Sequence, residues 1–366
     1  MIEKYYSGVI EQIYNRIGKE TRNIVMANYS NDFSIENLEV IRRYQSNEDN
    51  VFFAYSEFSY NTLVGAYEPF LDIICNMHRH FIGGSFDDFQ KECGVYYLHR
   101  QVLNSYYETG ECFREETVLL NEVAYEQRRM TKAIVDMLKR LSEVRPLMIV
   151  INRFQMASKS SIETIKYLID NPCTNIGIVL GVNVQVKGTD STVEVWDRIV
   201  ESLEDRSAIY YIGSAGQQKN HIRDTSDDEL YITTNFEQSI QEASNIMEFL
   251  DYEQARRGCR IIEHKIKFED AWIDEKSLRR FYLIYARTSV LLGEMSKAIE
   301  LTNEYKALIP ESDSEHYFSI YYFMKGTCYM YQGKLEKAEG CAKKAYDYAL
   351  LADDELLEFS PSFCPL

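Results

Sequence analysis

The sequence predicts an α/β unit with a mostly parallel sheet of about five strands flanked by helices, followed by an all-helical array. Three observations carry this expectation. Over the first 215 residues, short apolar runs alternate with helix-patterned stretches, the order of βαβ units. After residue 229 the strand signals stop and helix follows helix. Only 6 of 366 residues are Pro, against a usual share of about 5%, so few breakers interrupt helices.

The elements can be justified in order. ETRNIVMANY (20–29) carries Ile24, Val25 and Met26 and reads as a short buried strand. Helical spacing of Ile35, Leu38, Val40 and Ile41 follows Ser34 over 34–44. The aromatic, β-branched run 50–58 reads as a second strand. A helix is expected over 66–81, with Pro69 tolerated in its first turn. Residues 86–143 hold several helices, the clearest at 121–143. PLMIVIN (146–152) is a continuous apolar run, suited to a strand buried on both faces. A helix over 160–170 is expected to be capped by Ser160 or Ser161. Strand 174–183, helix 193–204 and strand 207–214 complete the set. Polar, Gly/Ser/Asp-rich residues then mark a boundary. The reading is an α/β domain over 1–215, a linker over 216–229, helical repeats over 230–356 and an apolar tail over 357–366.

The helical part carries a weak internal repeat. Segments starting at 250, 292 and 332 can be laid on one another, with Ala255, Ala298 and Ala338 as the small anchoring residue. Aromatic-rich helices precede the last two copies, at 281–291 and 317–331. Helix, turn and second helix with Ala at the close contact resembles the tetratricopeptide logic. Such arrays need a polar terminal cap, and LLEFSPSFCPL is apolar. The expectation is therefore a truncated or split member, whose relatives continue into further repeats.

Composition narrows the partners. Hydrophobic residues are 45% and charged residues 27%, which is globular usage. A net charge of −17 repels phosphate backbones and anionic membranes, so no nucleic acid and no membrane is expected as a partner. The 8 Cys form no CxxC pair and read as reduced core residues. No basic segment followed by an apolar stretch opens the chain, so the expected location is cytoplasmic.

The chemistry-bearing stretch is the junction after the first strand, Ala27 to Ser34. Laid on GxxxxGK[ST], it places Ala27 at the first Gly, Asp32 at the second and Phe33 at the Lys. Only Ser34 fits, with Ser30 inside the loop. The stretch 147–169 resembles the second nucleotide motif of the signal-transduction ATPases with numerous domains, a P-loop family with AAA-type cores. There an apolar strand ends in two acidic residues. Here Asn152 and Arg153 stand in their place, while Gln155, Ala157, Ser161 and the helix after them fit. Residues 51–77 are similar to the family's second strand and its Tyr-x-Pro-Phe helix start, and Asn183 stands where a polar residue tips the next strand. Tetratricopeptide-like repeats after the core are also that family's habit, as in MalT-like regulators. The resemblance implies a P-loop NTPase-like sheet.

The departures set the expected function. Phosphoryl transfer needs Mg²⁺, a phosphate clamp and a group that places water. Losing the Lys removes a charge-assisted hydrogen bond worth roughly 1.5–3 kcal/mol. Asp32 adds a like charge beside a phosphate, and Asn152 and Arg153 cannot replace metal-directed carboxylates. The expectation is a pseudo-ATPase core with no catalytic residue, no metal and no cofactor, ATP or ADP being possible ligands. Its alternative is a nucleotide-binding switch with little hydrolysis. His78 and His80 lie two apart and share no helix face, so they are not read as metal ligands. A protein or peptide is the expected partner, with Tyr282, Tyr285, Tyr321 and Tyr322 as aromatic anchors on the helical array.

Overall fold

The computed structural model describes residues 2–29, 38–45, 51–59, 63–114, 122–183, 193–205, 209–212, 236–268, 273–312 and 314–352. The chain divides into two compact units, with the boundary between Thr233 and Thr234. The expected linker 216–229 and tail 357–366 lie outside the described residues.

The first unit is α/β. Its strands are β1 (Ile24–Tyr29), β2 (Phe52–Glu57), β3 (Leu147–Asn152), β4 (Ile176–Asn183) and the short β5 (Ile209–Ile212). They pair in parallel in the order β2-β3-β4-β1-β5. Every residue of β3 and β4 is buried, as continuous apolar runs between two helix layers require. The chain moves one way from β1 to β2 and the other way through β3, β4 and β5. Right-handed crossovers then put the helix after β1 on one face and the later helices on the other. Accordingly α1 (Ile2–Arg16) packs with α2 (Glu39–Gln45) and against β1 and β4. The later helices α6 (Val123–Val144), α7 (Lys159–Asp170) and α8 (Val193–Glu204) pack in series. Between β2 and α6 lie α3 (Phe70–Met77), a π-helical turn (His78–Ile82), α4 (Phe86–Glu92) and α5 (Tyr97–Thr109).

Gly177 shows which residues face α1. A Cβ there would stand 2.8 Å from Ile17 Cδ1 and 3.0 Å from Ile13 Cγ2. Gly177→Ala is therefore expected to cost about 1–3 kcal/mol through overpacking. Urea unfolding measures this, and a neutral result would mean that α1 does not press on β4 as described.

Two expectations are corrected. Ser158, not Ser160 or Ser161, caps α7, its Oγ accepting from Ser161 N at 3.4 Å. Ser160 Oγ instead accepts from Tyr67 N at 3.0 Å, and Ser161 Oγ donates to Glu68 O at 2.7 Å. The three serines thus tie α7 to the segment entering α3. The helix expected over 66–81 starts at Phe70, with Pro69 as the residue before its first turn.

The second unit is helical: α9 (Phe236–Glu248), α10 (Tyr252–Phe268), α11 (Glu275–Leu291), α12 (Met295–Ala307), α13 (Ser314–Tyr331) and α14 (Leu335–Leu351). They form three hairpins with one geometry. The residue five before each anchoring Ala is left-handed: Leu250 at φ 68°, Gly293 at φ 79° and Gly333 at φ 71°. The N–H after it reaches back to Ile246 O, Ser289 O and Tyr329 O at 3.1, 2.8 and 2.9 Å. Four residues later Ala255, Ala298 and Ala338 donate to Asp251, Glu294 and Lys334 at 2.9, 3.0 and 3.0 Å. Twelve residues before each anchor sits a second small residue, Ala243, Ala286 or Gly326. At Gly326 an added Cβ would lie 3.2 Å from Cys341 Cβ, so these positions set the approach of paired helices.

Candidate functional site

In open α/β sheets, ligands bind outside the carboxyl ends of strands, where neighbouring connections run opposite ways. Here that point falls between β1, whose chain leaves toward β2, and β4, whose chain leaves toward β5. Parallel pairing sets Tyr29 beside Asn183 and Glu57 beside Asn152. Period two and the Gly177 contact put Tyr29, Tyr55, Glu57, Asn152 and Asn183 on the face covered by α1.

These residues hold one another. Tyr29 Oη donates to Asn152 Oδ1 at 2.6 Å in a fully buried bond. Tyr6 from α1 lays its ring edge-on to Tyr29, with centroids 6.3 Å apart. Burial pushes the Tyr6 hydroxyl well above the ordinary range, and Tyr29, Tyr55 and Glu57 add to it, so Tyr6 stays neutral. On the neighbouring strand Tyr55 Oη donates to Glu57 Oε2 at 2.5 Å. Arg153 Nη1 stands 3.0 Å from Glu57 Oε1. Arg153 is itself left-handed, at φ 54° and ψ 40°, and starts the short 3₁₀ turn Phe154–Met156. Non-glycine residues hold that conformation only where the surroundings fix it. Gln155 Oε1 then accepts from Asn183 N at 3.3 Å, closing the tips of β3 and β4.

Among the described residues of this edge, the Arg153 guanidinium and the Glu57 carboxylate form an ion pair. Among the described residues, Asn152 Nδ2 and Gln155 Nε2 are buried donors without a hydrogen-bond partner. Asn28 Oδ1 is likewise unpartnered, but Asn28 points to the opposite face of the sheet. Among the described residues no group of three His, Cys, Asp or Glu is placed to hold a metal.

The expected site residues distribute as follows. Asn152, Arg153 and Asn183 come together at the strand tips. Ala27 does not start a loop: it is fully buried within β1, paired with Gly181 and Tyr210. Because β1 is paired through Tyr29, a phosphate loop cannot begin before Ser30. Ser30, Asp32, Phe33 and Ser34 lie outside the described residues. Glu57, Tyr29, Tyr55 and Tyr6 are additions that the sequence reading missed. The alternation Tyr55-Ser56-Glu57 on a strand was the available signal.

The four expected aromatic anchors reduce to two. Tyr285 and Tyr321 are buried inside the helical unit. Lys325 Nζ donates to Tyr321 Oη at 2.6 Å, and Lys306 lies over the same ring at 5.4 Å. Tyr282 and Tyr322 keep partial exposure. Tyr322 stacks on Tyr348 with an interplanar angle of 8°, and Lys344 sits 5.1 Å from its centroid.

No family model matches the chain, and no curated protein matches it.

Proposed function

We propose that this is a regulatory interaction protein. Its α/β unit is a P-loop-like scaffold without hydrolytic machinery, and its helical hairpins bind a protein or peptide, in signal transduction or transcriptional regulation. The observation that supports the scaffold reading is the network among the described residues at the strand tips. Tyr29 occupies the acceptor of Asn152, and Glu57 occupies Arg153, so the groups beside β1 hold each other. Transfer chemistry would need a net positive or metal-bearing edge there.

The hairpins support the interaction half. Tetratricopeptide repeats follow W-x₂-L-G-x₂-Y, then A-x₃-F. Tyr282-x₂-Tyr285-Ala286 and Tyr322-x₂-Lys325-Gly326-x₂-Tyr329 keep that spacing, with Ala298 and Ala338 twelve residues after the small position. Tyr282 and Tyr322 take the same place in successive hairpins and are the residues we assign to the binding face.

One observation favours a second reading, a nucleotide-binding switch. Asn152 Nδ2 and Gln155 Nε2 are buried donors awaiting an acceptor oxygen. Isothermal titration with ATP and ADP, with and without Mg²⁺, separates the two. The scaffold reading expects no heat at micromolar nucleotide. Micromolar binding overturns it in favour of the switch, and Asn152→Ala should then weaken that binding.

A further inference from the structure

The two junctions between successive hairpins are charged differently. At the first, cations meet carboxylates. Arg256 Nη1 stands 2.6 Å from Glu294 Oε1, and Lys297 Nζ stands 3.1 Å from Glu263 Oε1. At the second, lysines take the places of acids. Counted from the anchoring Ala, Lys334 replaces Glu294, Lys306 replaces Glu263 and Lys344 replaces Glu304. Lys337 keeps the place of Lys297, and Lys325 takes that of Tyr285. The places that hold the Glu263–Lys297 pair thus hold Lys306 and Lys337. Tyrosine rings gather these lysines into a row. Lys306 and Lys325 lie 5.4 and 5.0 Å from the Tyr321 centroid. Lys334 and Lys337 lie 5.9 and 5.7 Å from that of Tyr329, and Lys344 lies 5.1 Å from that of Tyr322. Lys325 stands within electrostatic reach of both Tyr321 and Tyr329, which joins the two groups. Among the described residues none of these lysines forms an ion pair. The hydrogen bonds of Lys325 and Lys334 go to neutral oxygens, Tyr321 Oη and Gln332 Oε1, both at 2.6 Å.

We propose that this row is the docking edge for an acidic segment of a partner protein, whose Asp or Glu carboxylates lie along the lysines. The inference rests on the reading of the hairpins as peptide-binding and names the chemistry of the peptide. The row is set by the packing of α12 on α13 and of α13 on α14. Like charges gathered on one edge repel, and anions laid across them remove that repulsion. The spacing suits an extended chain. Tyr321 and Tyr329 are eight residues apart on one helix, about 12 Å. That is the reach of about four extended residues, so alternate side chains of a strand meet successive lysines. Apolar surface adjoins the charge. Met330 and Leu335, next to Tyr329 and Lys334 in the chain, are 37% and 66% exposed. Carboxylates interspersed with apolar side chains match both features, as a bare inorganic anion does not. A long phosphate polymer is disfavoured by the net charge of −17.

Fluorescence anisotropy on the full chain tests this with a labelled Glu-Ser-Glu-Leu repeat peptide and a matched peptide carrying Gln for Glu. The Glu peptide is expected to bind, with an affinity that falls as salt is raised. Lys337→Gln combined with Lys344→Gln should weaken it about tenfold. Lys343→Gln should leave it unchanged, since Lys343 is exposed on α14 and lies over none of these rings. All three lysines are exposed, so thermal melts should match the parent chain. Equal binding of the Gln peptide overturns the proposal and leaves the peptide-binding reading standing. Binding of neither peptide overturns it too, and a displayed random-peptide library panned on the same chain then decides the broader reading separately. Displacement of the Glu peptide by an equal concentration of tripolyphosphate makes the row a phosphate site and also overturns it.

Discussion

Arg153→Met is expected to destabilise the α/β unit by roughly 2–4 kcal/mol, whereas Arg153→Met combined with Glu57→Gln should recover most of the loss. The side chains of Arg153 and Glu57 are 20% and 19% exposed, so the pair is mostly out of water. Removing the guanidinium leaves a carboxylate desolvated beside Tyr55 and beneath Tyr6. Removing both charges leaves neither member of the pair uncompensated by the other, and the amide oxygen introduced by Glu57→Gln would still accept from the Tyr55 hydroxyl. Urea unfolding of the two single variants and the double variant gives the coupling directly. A loss under about 0.5 kcal/mol with no coupling would make the pair an ordinary surface contact. The result also bears on function. An arginine kept for an anionic ligand changes binding when removed and leaves stability nearly alone. One that replaces an acidic residue in a retired site and is held by the next strand does the reverse.

That pair shows where sequence reading stops. β3 and β4 were legible because burial on both faces demands an unbroken apolar run, and LMIVIN and IGIVLGVN supply it. Arg153 was visible as a departure from an acidic pattern, but its partner was not. Glu57 comes within reach only through the β2–β3 register, which no local spacing reveals. The phosphate-loop alignment conflicted with the strand reading over 20–29, and the strand holds: pairing with both β4 and β5 keeps β1 intact through Tyr29, so Ala27 is a strand residue. Capping of α7 was read as Ser160 or Ser161, and Ser158 is the cap. The deciding contacts, to Tyr67 and Glu68, come from residues 93 positions away in the chain. In the helical unit the Ala anchors and three hairpins were legible, but the range of α9 was not. Its one aromatic residue is Phe236, where α11 and α13 are aromatic-rich, and Leu250 takes the left-handed position that glycine takes in the other turns. The paired small residues twelve positions apart were the signal that would have found it.

Acid should unfold the α/β unit partly through His99, and His99→Gln should flatten that response. His99 is fully buried in α5, with Nε2 3.0 Å from Glu126 Oε2 of α6. Burial comes first in pushing its pKa down to about 3, and the guanidinium charges of Arg114 and Arg129 push in the same direction. The Glu126 carboxylate does not offset them, being shared with Arg129 Nη1 at 3.0 Å. Arg129 is fixed in turn over the Tyr96 ring, 3.6 Å from its centroid. The folded chain thus holds His99 neutral, while the unfolded chain takes up a proton below about pH 6.5. Proton uptake by the unfolded state lowers stability as pH falls. The contribution is fully present above pH 6.5 and is lost progressively down to about pH 3. Between pH 6.5 and 4.5 the loss from this one group is roughly 2–3 kcal/mol. Unfolding free energies measured across that window should therefore fall less steeply for His99→Gln than for the parent chain. Equal slopes would show that His99 is protonated in the fold, with Glu126 winning over burial and the two arginines.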